Sequence, residues 1–93
     1  LMLCDLIDLR TLYPLDWVFI GKMLERTGKL LVIEPDIQYG GIGAEIVATI
    51  AELQPEVRVK RLGGSRRTIP AAMKQHAQTM PNEEQILAAI RNW

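Results

Sequence analysis

The sequence predicts an α/β fold in which helices cover both faces of a mainly parallel β-sheet. Segments with the apolar pattern of strands alternate along the chain with segments that have the apolar spacing of helices. Proline, glycine and helix-capping residues separate neighbouring segments. The 93 residues suffice for one small domain at most, and a hydrophobic content of 48% is typical of a folded globule.

The first predicted elements are a strand near 3–9 and a helix near 16–27. The strand segment is mostly apolar, and Pro14 prevents it from continuing. Asp16 is suited to cap the helix N-terminus, because its carboxylate can accept hydrogen bonds from free amides of the first turn. Gly28 is suited to end the helix in the left-handed conformation.

The rest of the chain continues the alternation of strands and helices. Pro55 terminates the second long helix, and Asn82 caps the last one together with Gln85. The predicted elements are a strand near 30–34, a loop at 35–41, a helix near 42–53, a strand near 57–62, a loop at 63–68, a short helix near 70–77 and a helix near 83–92. The residues expected to face helices from the sheet are Ile7, Leu9, Leu31, Val32, Ile33, Val57 and Val59.

The composition argues against several classes of protein. Eleven basic and eleven acidic residues leave no net charge, so nothing global indicates a nucleic-acid or membrane partner. No apolar run approaches the length of about 18 residues that a transmembrane helix needs. Cys4 is the only cysteine, and its apolar strand favours a buried free thiol over a reactive one. A cytoplasmic or organelle-matrix protein fits these features.

Five segments carry a resemblance to a known family. Residues 8–16, which read DLRTLYPLD, resemble a stretch of the beta subunits of pyruvate and branched-chain 2-oxo acid dehydrogenases. Residues 27–34, 40–46, 59–63 and 69–70 are similar to later blocks of these subunits, in the same order. The resemblance covers almost the whole sequence, but only the C-terminal part of such a subunit.

The resemblance implies a single partial domain over 1–93, a three-layer α/β/α fold like the transketolase C-terminal domain. In that domain an earlier strand lies between the strands that correspond to 3–9 and 30–34, and the resemblance leads us to expect that this sequence lacks it. The chain is therefore expected to be a fragment, to have a rearranged sheet, or to be covered by another chain. The two strands are expected to close on each other or to be completed by a second copy. In both cases the chain is expected to self-associate, with Trp17 and the helix near 42–53 as contact elements.

The parent enzymes, by resemblance, use thiamine diphosphate and magnesium to decarboxylate a 2-oxo acid and pass the acyl group to a lipoyl arm. Their cofactor lies between the alpha subunit and the N-terminal domain of the beta subunit, so no cofactor, metal or catalytic residue is expected in this segment. The segment is expected to associate with the alpha subunit, to dock the subunit-binding domain of the lipoyl acyltransferase, and to be inactive in isolation.

Several residues are candidates for an interface. The glycines at 40–43 allow close approach of a neighbouring chain, although the following helix N-terminus makes a phosphate site the alternative. Glu34 and Glu45 have the chemistry of acid–base catalysts, but an acid in a first helical turn more often interacts with the helix dipole. By resemblance, Trp93 is the candidate contact with the acyltransferase. The alternative is that it belongs to a frayed terminus with no binding role. The interface candidates are Trp17, Gly40, Gly41, Gly43, Glu45 and Trp93.

A basic segment supports an alternative function. A stand-alone, non-catalytic binding module could hold an anionic partner through Arg58, Lys60, Arg61, Arg66 and Arg67. No aromatic residues interleave these cations, so a solvated strand end and loop is the competing interpretation. The single histidine, His76, has no partner at the spacing of a catalytic motif.

Overall fold

The computed structural model describes residues 4–65 and 80–93. The elements in chain order are α1 (Trp17–Thr27), β1 (Lys29–Ile37), α2 (Ile42–Leu53), β2 (Arg58–Gly64) and α3 (Glu83–Arg91). The strands β1 and β2 form a two-stranded parallel sheet, and α2 connects them. The α/β class predicted from the sequence is confirmed. The predicted helix near 70–77, His76, Arg66 and Arg67 lie outside the described residues.

The sheet separates two layers of helices. Leu30 pairs with Val59 in the parallel register, and both pack against a cluster that α1 and α2 contribute to. The next residue on β2, Lys60, projects to the opposite face and reaches the end of α3. Helices α1 and α2 therefore cover one face of the sheet, and α3 covers the other.

The core lies between the first two helices and one face of the sheet. Ile20 and Leu24 of α1, Ile50 of α2 and Val57 form one buried cluster. Ile46 of α2 is also buried. Leu9, Trp17, Leu30 and Val59 are partly buried against the cluster.

The predicted core residues have unequal burial. Val57 is buried, and the others are half-buried apart from Ile33. Ile33 is 43% exposed, so its assignment to the core was wrong. It lies on the face that α3 covers, and α3 has no fully buried residue, so this face is covered less tightly.

The helix ends confirm the capping predictions. The amide of Phe19 donates to Asp16 Oδ1 at 3.1 Å. Gly28 has a φ of 71°, and its amide donates to the Leu24 carbonyl at 2.8 Å. At the start of α3, Asn82 and Gln85 exchange the two hydrogen bonds of a capping box, at 2.8 and 3.0 Å. These features depend on neighbours in sequence, which explains why local patterns predict them.

The predicted strand near 3–9 was wrong over its described part, because residues 4–10 have no regular secondary structure. An apolar pattern forms a strand only when a neighbouring strand pairs with its backbone, and among the described residues only β1 and β2 pair. In this segment Leu9 packs against the core cluster, and Asp5 forms an exposed ion pair with Arg26 of α1. Cys4 is exposed, so the expected buried thiol was also wrong.

The sheet extends further than the sequence predicts. Strand β1 continues through Pro35 to Ile37, and β2 continues to Gly64. Ile33 pairs with Leu62, and Ile37 pairs with Gly64. Between these two pairs β1 has two more residues than β2. This irregularity accommodates Pro35, which has no amide hydrogen to donate to the ladder. Beyond it, the Gln38 amide donates to the Gly64 carbonyl at 3.0 Å.

Candidate functional site

The first candidate site is the start of α2, where residues 40–43 surround a buried carboxylate. Glu34 of β1 is 6% exposed, and its Oε2 accepts a hydrogen bond from the Gly43 amide at 3.0 Å. The N-cap residue of α2 is Gly41, which offers no side chain to cap the helix. Glu34 therefore caps α2 from the neighbouring strand.

The glycines are required by the close approach of this carboxylate. A Cβ on Gly41 would lie 2.6 Å from both Glu34 Oε1 and the Ile37 carbonyl oxygen. A Cβ on Gly43 would lie 2.8 Å from Glu34 Oε1 and 3.2 Å from Val32 Cγ1. At Gly41 the backbone carbonyl of Ile37 leaves no room for a Cβ, whereas at Gly43 the Glu34 and Val32 side chains would have to shift to admit one.

The chemistry of this turn favours packing over phosphate binding. A helix N-terminus attracts an anion, and the Glu34 carboxylate already occupies that position. Glu34 Oε1 is buried with no hydrogen-bond partner among the described residues. Glu45 is exposed on the first turn of α2, in contrast to the buried Glu34. Within the described ranges, no three His, Cys, Asp or Glu residues could together hold a metal ion.

A second cluster joins β2 to the end of α3. Lys60 Nζ donates to the carbonyl oxygens of Ala89 and Asn92 at 3.1 and 2.8 Å. The same atom lies 4.8 Å from the centroid of the Trp93 ring. Trp93 is half-buried, and we refer to this arrangement as the Lys60–Trp93 contact. Both residues are candidates from the sequence, but for separate sites: Lys60 for anion binding and Trp93 for docking.

The structure divides the predicted anion-binding residues. Arg58 is exposed, whereas the Lys60 ammonium has internal partners. The guanidinium of Arg61 donates to the Gln38 carbonyl at 2.8 Å. Two of the three described cations of the basic segment are thus engaged within the chain, and the structure does not assemble them into one anion site.

A third feature is an exposed apolar surface around the start of α1. We call Leu12, Tyr13, Val18 and Phe19 the α1 apolar surface; their exposed fractions are 54%, 93%, 69% and 49%. The sequence analysis singled out Trp17 in this region, but Trp17 is half-buried against the core. The helical spacing could have predicted this exposure. Ile20 and Leu24 face the core, so Val18 and Phe19 lie away from the buried face of α1.

Within the part of the chain that the structure describes, no helix has the length and apolar character needed to cross a membrane.

Comparisons with known proteins agree with the family resemblance. The profile of the family described as "Transketolase, C-terminal domain" matches residues 2–86. The chain is 39% identical over 92 residues to the mitochondrial 2-oxoisovalerate dehydrogenase subunit beta 2 of Arabidopsis thaliana, covering 96% of this chain and 25% of that protein. It is 35% identical over 89 residues to the 2-oxoisovalerate dehydrogenase subunit beta of Bacillus subtilis, covering 91% and 27%.

A pyruvate dehydrogenase relative matches over a similar span. The chain is 32% identical over 91 residues to the beta subunit of the pyruvate dehydrogenase E1 component of Rickettsia bellii, covering 95% of this chain and 28% of that protein. No solved structure matches the chain. The chain thus spans between 25% and 28% of the length of these relatives.

Proposed function

The chain belongs to the family of transketolase C-terminal domains, and on that premise we propose that it is the assembly segment of the beta subunit of a thiamine-diphosphate-dependent 2-oxo acid dehydrogenase. The segment associates with other subunits and docks the lipoyl acyltransferase, while decarboxylation takes place elsewhere in the parent enzyme. Relatives named for 2-oxoisovalerate and for pyruvate, at 39% and 32% identity, both match almost the whole chain, so either 2-oxo acid is a candidate substrate of the parent enzyme. The setting is the cytoplasm or an organelle matrix.

The α1 apolar surface is the observation that carries this proposal. Four large apolar side chains lie exposed within eight residues of the chain, from Leu12 to Phe19. Exposed large apolar side chains that lie close together in the chain are candidates for a protein contact site, because burial against a partner removes them from water. We propose that this surface is the contact of the chain with a second copy of itself when no other subunit covers it.

Loss of the α1 apolar surface is expected to abolish self-association. In sedimentation velocity at tens of micromolar, the wild-type chain should sediment as a dimer or larger species, and the double variant Tyr13→Gln/Val18→Gln as a monomer. The matched control is Leu53→Gln/Leu87→Gln, which removes two exposed apolar side chains elsewhere, 63% and 40% exposed. If the control variant dissociates as readily as the test variant, self-association depends on general surface hydrophobicity and not on the α1 apolar surface. A monomeric wild type would contradict the proposal outright.

The glycine turn supports assembly in a different way. The hydrogen bond from the Gly43 amide to Glu34 anchors the start of α2 to β1. Ile42 is 37% exposed and Glu45 is exposed on the same first turn. We assign this end of α2 to contact with the alpha subunit, with Gly40, Gly41 and Gly43 as the residues that shape it.

The described residues do not fit thiamine diphosphate or magnesium. The N-terminus of α2 would be the natural place for a diphosphate, but the Glu34 carboxylate fills it. The Glu34 carboxylate would repel a diphosphate placed at this helix N-terminus.

The isolated chain is expected to show neither turnover nor cofactor binding. The assay combines decarboxylation of pyruvate and of 2-oxoisovalerate, in the presence of thiamine diphosphate and magnesium, with calorimetric titration of the cofactor. A full-length beta subunit assembled with its alpha subunit serves as the positive control. Turnover by the 93-residue chain, or cofactor binding at micromolar concentration, would refute a purely structural role.

A further inference from the structure

We propose that Lys60 is the positioning residue of the docking site: it fixes the end of α3 and the Trp93 ring, and so sets the affinity for the acyltransferase without touching it. This inference rests on the proposed docking role of Trp93. It assigns to Lys60 a role that differs from anion binding, the chemistry that the basic segment suggests.

The hydrogen bonds of Lys60 support a positioning role. An ammonium group has three N–H donors, and here two carbonyl oxygens of α3 and its C-cap, Ala89 O and Asn92 O, lie at hydrogen-bond distance. The Ala89 carbonyl belongs to the last turn of α3 and the Asn92 carbonyl to its C-cap, and no amide of the helix is available to either. A cation at this end also interacts favourably with the helix dipole.

The ring contact extends the anchor to Trp93. The ammonium lies 4.8 Å from the ring centroid, within the range of a cation–π interaction. One face of the ring is therefore directed at Lys60. The rest of the half-buried ring remains for a partner, and tryptophan is among the residues that contribute most to binding at protein interfaces.

Among the described residues, the packing of α3 itself holds this part of the chain only loosely. Helix α3 has no fully buried residue, and its apolar positions Ile86 and Ile90 are half-buried. Lys60, in contrast, lies within β2, where its register with Leu31 of β1 is set by the sheet. The hydrogen bonds of Lys60 thus fix the end of α3 relative to the sheet.

The test is a calorimetric titration. The recombinant subunit-binding domain of the lipoyl acyltransferase from the same genome is titrated into the wild-type chain and into each variant. Lys60→Met is expected to weaken binding about threefold to tenfold, because the partner must then order a free Trp93 side chain. Lys60→Arg, which keeps the charge and the donors, should restore most of the affinity. Arg58→Met removes an exposed cation from the same strand and should bind like wild type. Trp93→Ala should lose at least about tenfold, as expected for a tryptophan at the centre of an interface.

A spectroscopic readout separates positioning from general stability. In Lys60→Met, the heteronuclear NOE of the Trp93 indole N–H should fall, while that of the Trp17 indole, which packs on the core, should not change. If Lys60→Met does not fold, Lys60→Gln takes its place in both measurements.

The outcomes distinguish this inference from the proposed function. Full affinity of Trp93→Ala would refute the docking role itself. Loss of affinity in Trp93→Ala, combined with wild-type binding by Lys60→Met, would leave docking in place and overturn the role of Lys60. An unchanged NOE of the Trp93 indole in Lys60→Met would overturn the positioning role whatever the affinity.

Discussion

Replacing Ile50 by alanine is expected to lower the free energy of unfolding by about 2–5 kcal/mol, the range measured for large-to-small changes in protein cores. Ile50 is 1% exposed and belongs to the cluster that joins α1, α2 and the sheet. The substitution removes apolar surface from this cluster and leaves a cavity that its neighbours fill only in part. Because a small domain has little stability to lose, the variant should be unfolded in part at room temperature. Chemical denaturation followed by circular dichroism measures the change.

Ile33→Ala is the matched control for this prediction. It removes the same side-chain atoms from a residue that is 43% exposed, so the loss should be below about 1.5 kcal/mol. The apolar pattern of the sequence alone would rank Ile33 as a core residue. Equal losses in the two variants would mean that the core extends over the α3 face of the sheet, contrary to the burial described above.

Gly43→Ala is expected to lower the free energy of unfolding by about 1–3 kcal/mol, as is typical when a methyl group is forced into a packed site. The new Cβ would lie 2.8 Å from Glu34 Oε1 and 3.2 Å from Val32 Cγ1. Glu34 cannot move away without breaking its hydrogen bond to the Gly43 amide. The cost should exceed the gain in helix propensity of about 1 kcal/mol that alanine brings over glycine.

Gly21→Ala is the matched control, since it makes the same substitution inside α1. There the new Cβ would meet only the end of the Gln54 side chain, at 3.3 Å from Oε1. Gln54 Nε2 donates to the Gly21 carbonyl at 3.1 Å, and a shift of a few tenths of an ångström is enough to relieve the contact. The higher helix propensity of alanine should make this variant as stable as wild type or slightly more stable.

A double-mutant cycle tests the cause of the Gly43→Ala effect. In a Glu34→Ala background the carboxylate is gone, so Gly43→Ala should cost less than it does in wild type, with a coupling energy of about 0.5–3 kcal/mol. Additive effects of the two substitutions would show that the close approach to Glu34 is not the cause.

Features that depend on neighbours in sequence were predictable. Asp16, Gly28 and the pair Asn82 and Gln85 cap their helices as the sequence indicates, and α2 has the predicted bounds of 42–53. A cap needs only a short polar side chain, or a glycine, at a given distance from the helix.

Features that depend on distant partners were not. Residues 4–9 have the pattern of a strand, but a strand requires another strand to pair with, and none of the described residues supplies it. The Glu34 contact with Gly43 and the Lys60–Trp93 contact join different elements. Sequence analysis identified the residues of both contacts without pairing them, because spacing along the chain carries no information about which elements pack together.

We expect the α1 apolar surface to be buried when the chain assembles, and hydroxyl-radical footprinting over a dilution series measures this burial residue by residue. Tyr13 and Phe19, at 93% and 49% exposed in the single chain, should be oxidised at submicromolar concentration and protected at tens of micromolar. Tyr39, at 68% exposed and outside this surface, should be oxidised equally at both concentrations. Constant oxidation of Tyr13 and Phe19 across a range in which the chain self-associates would contradict the claim.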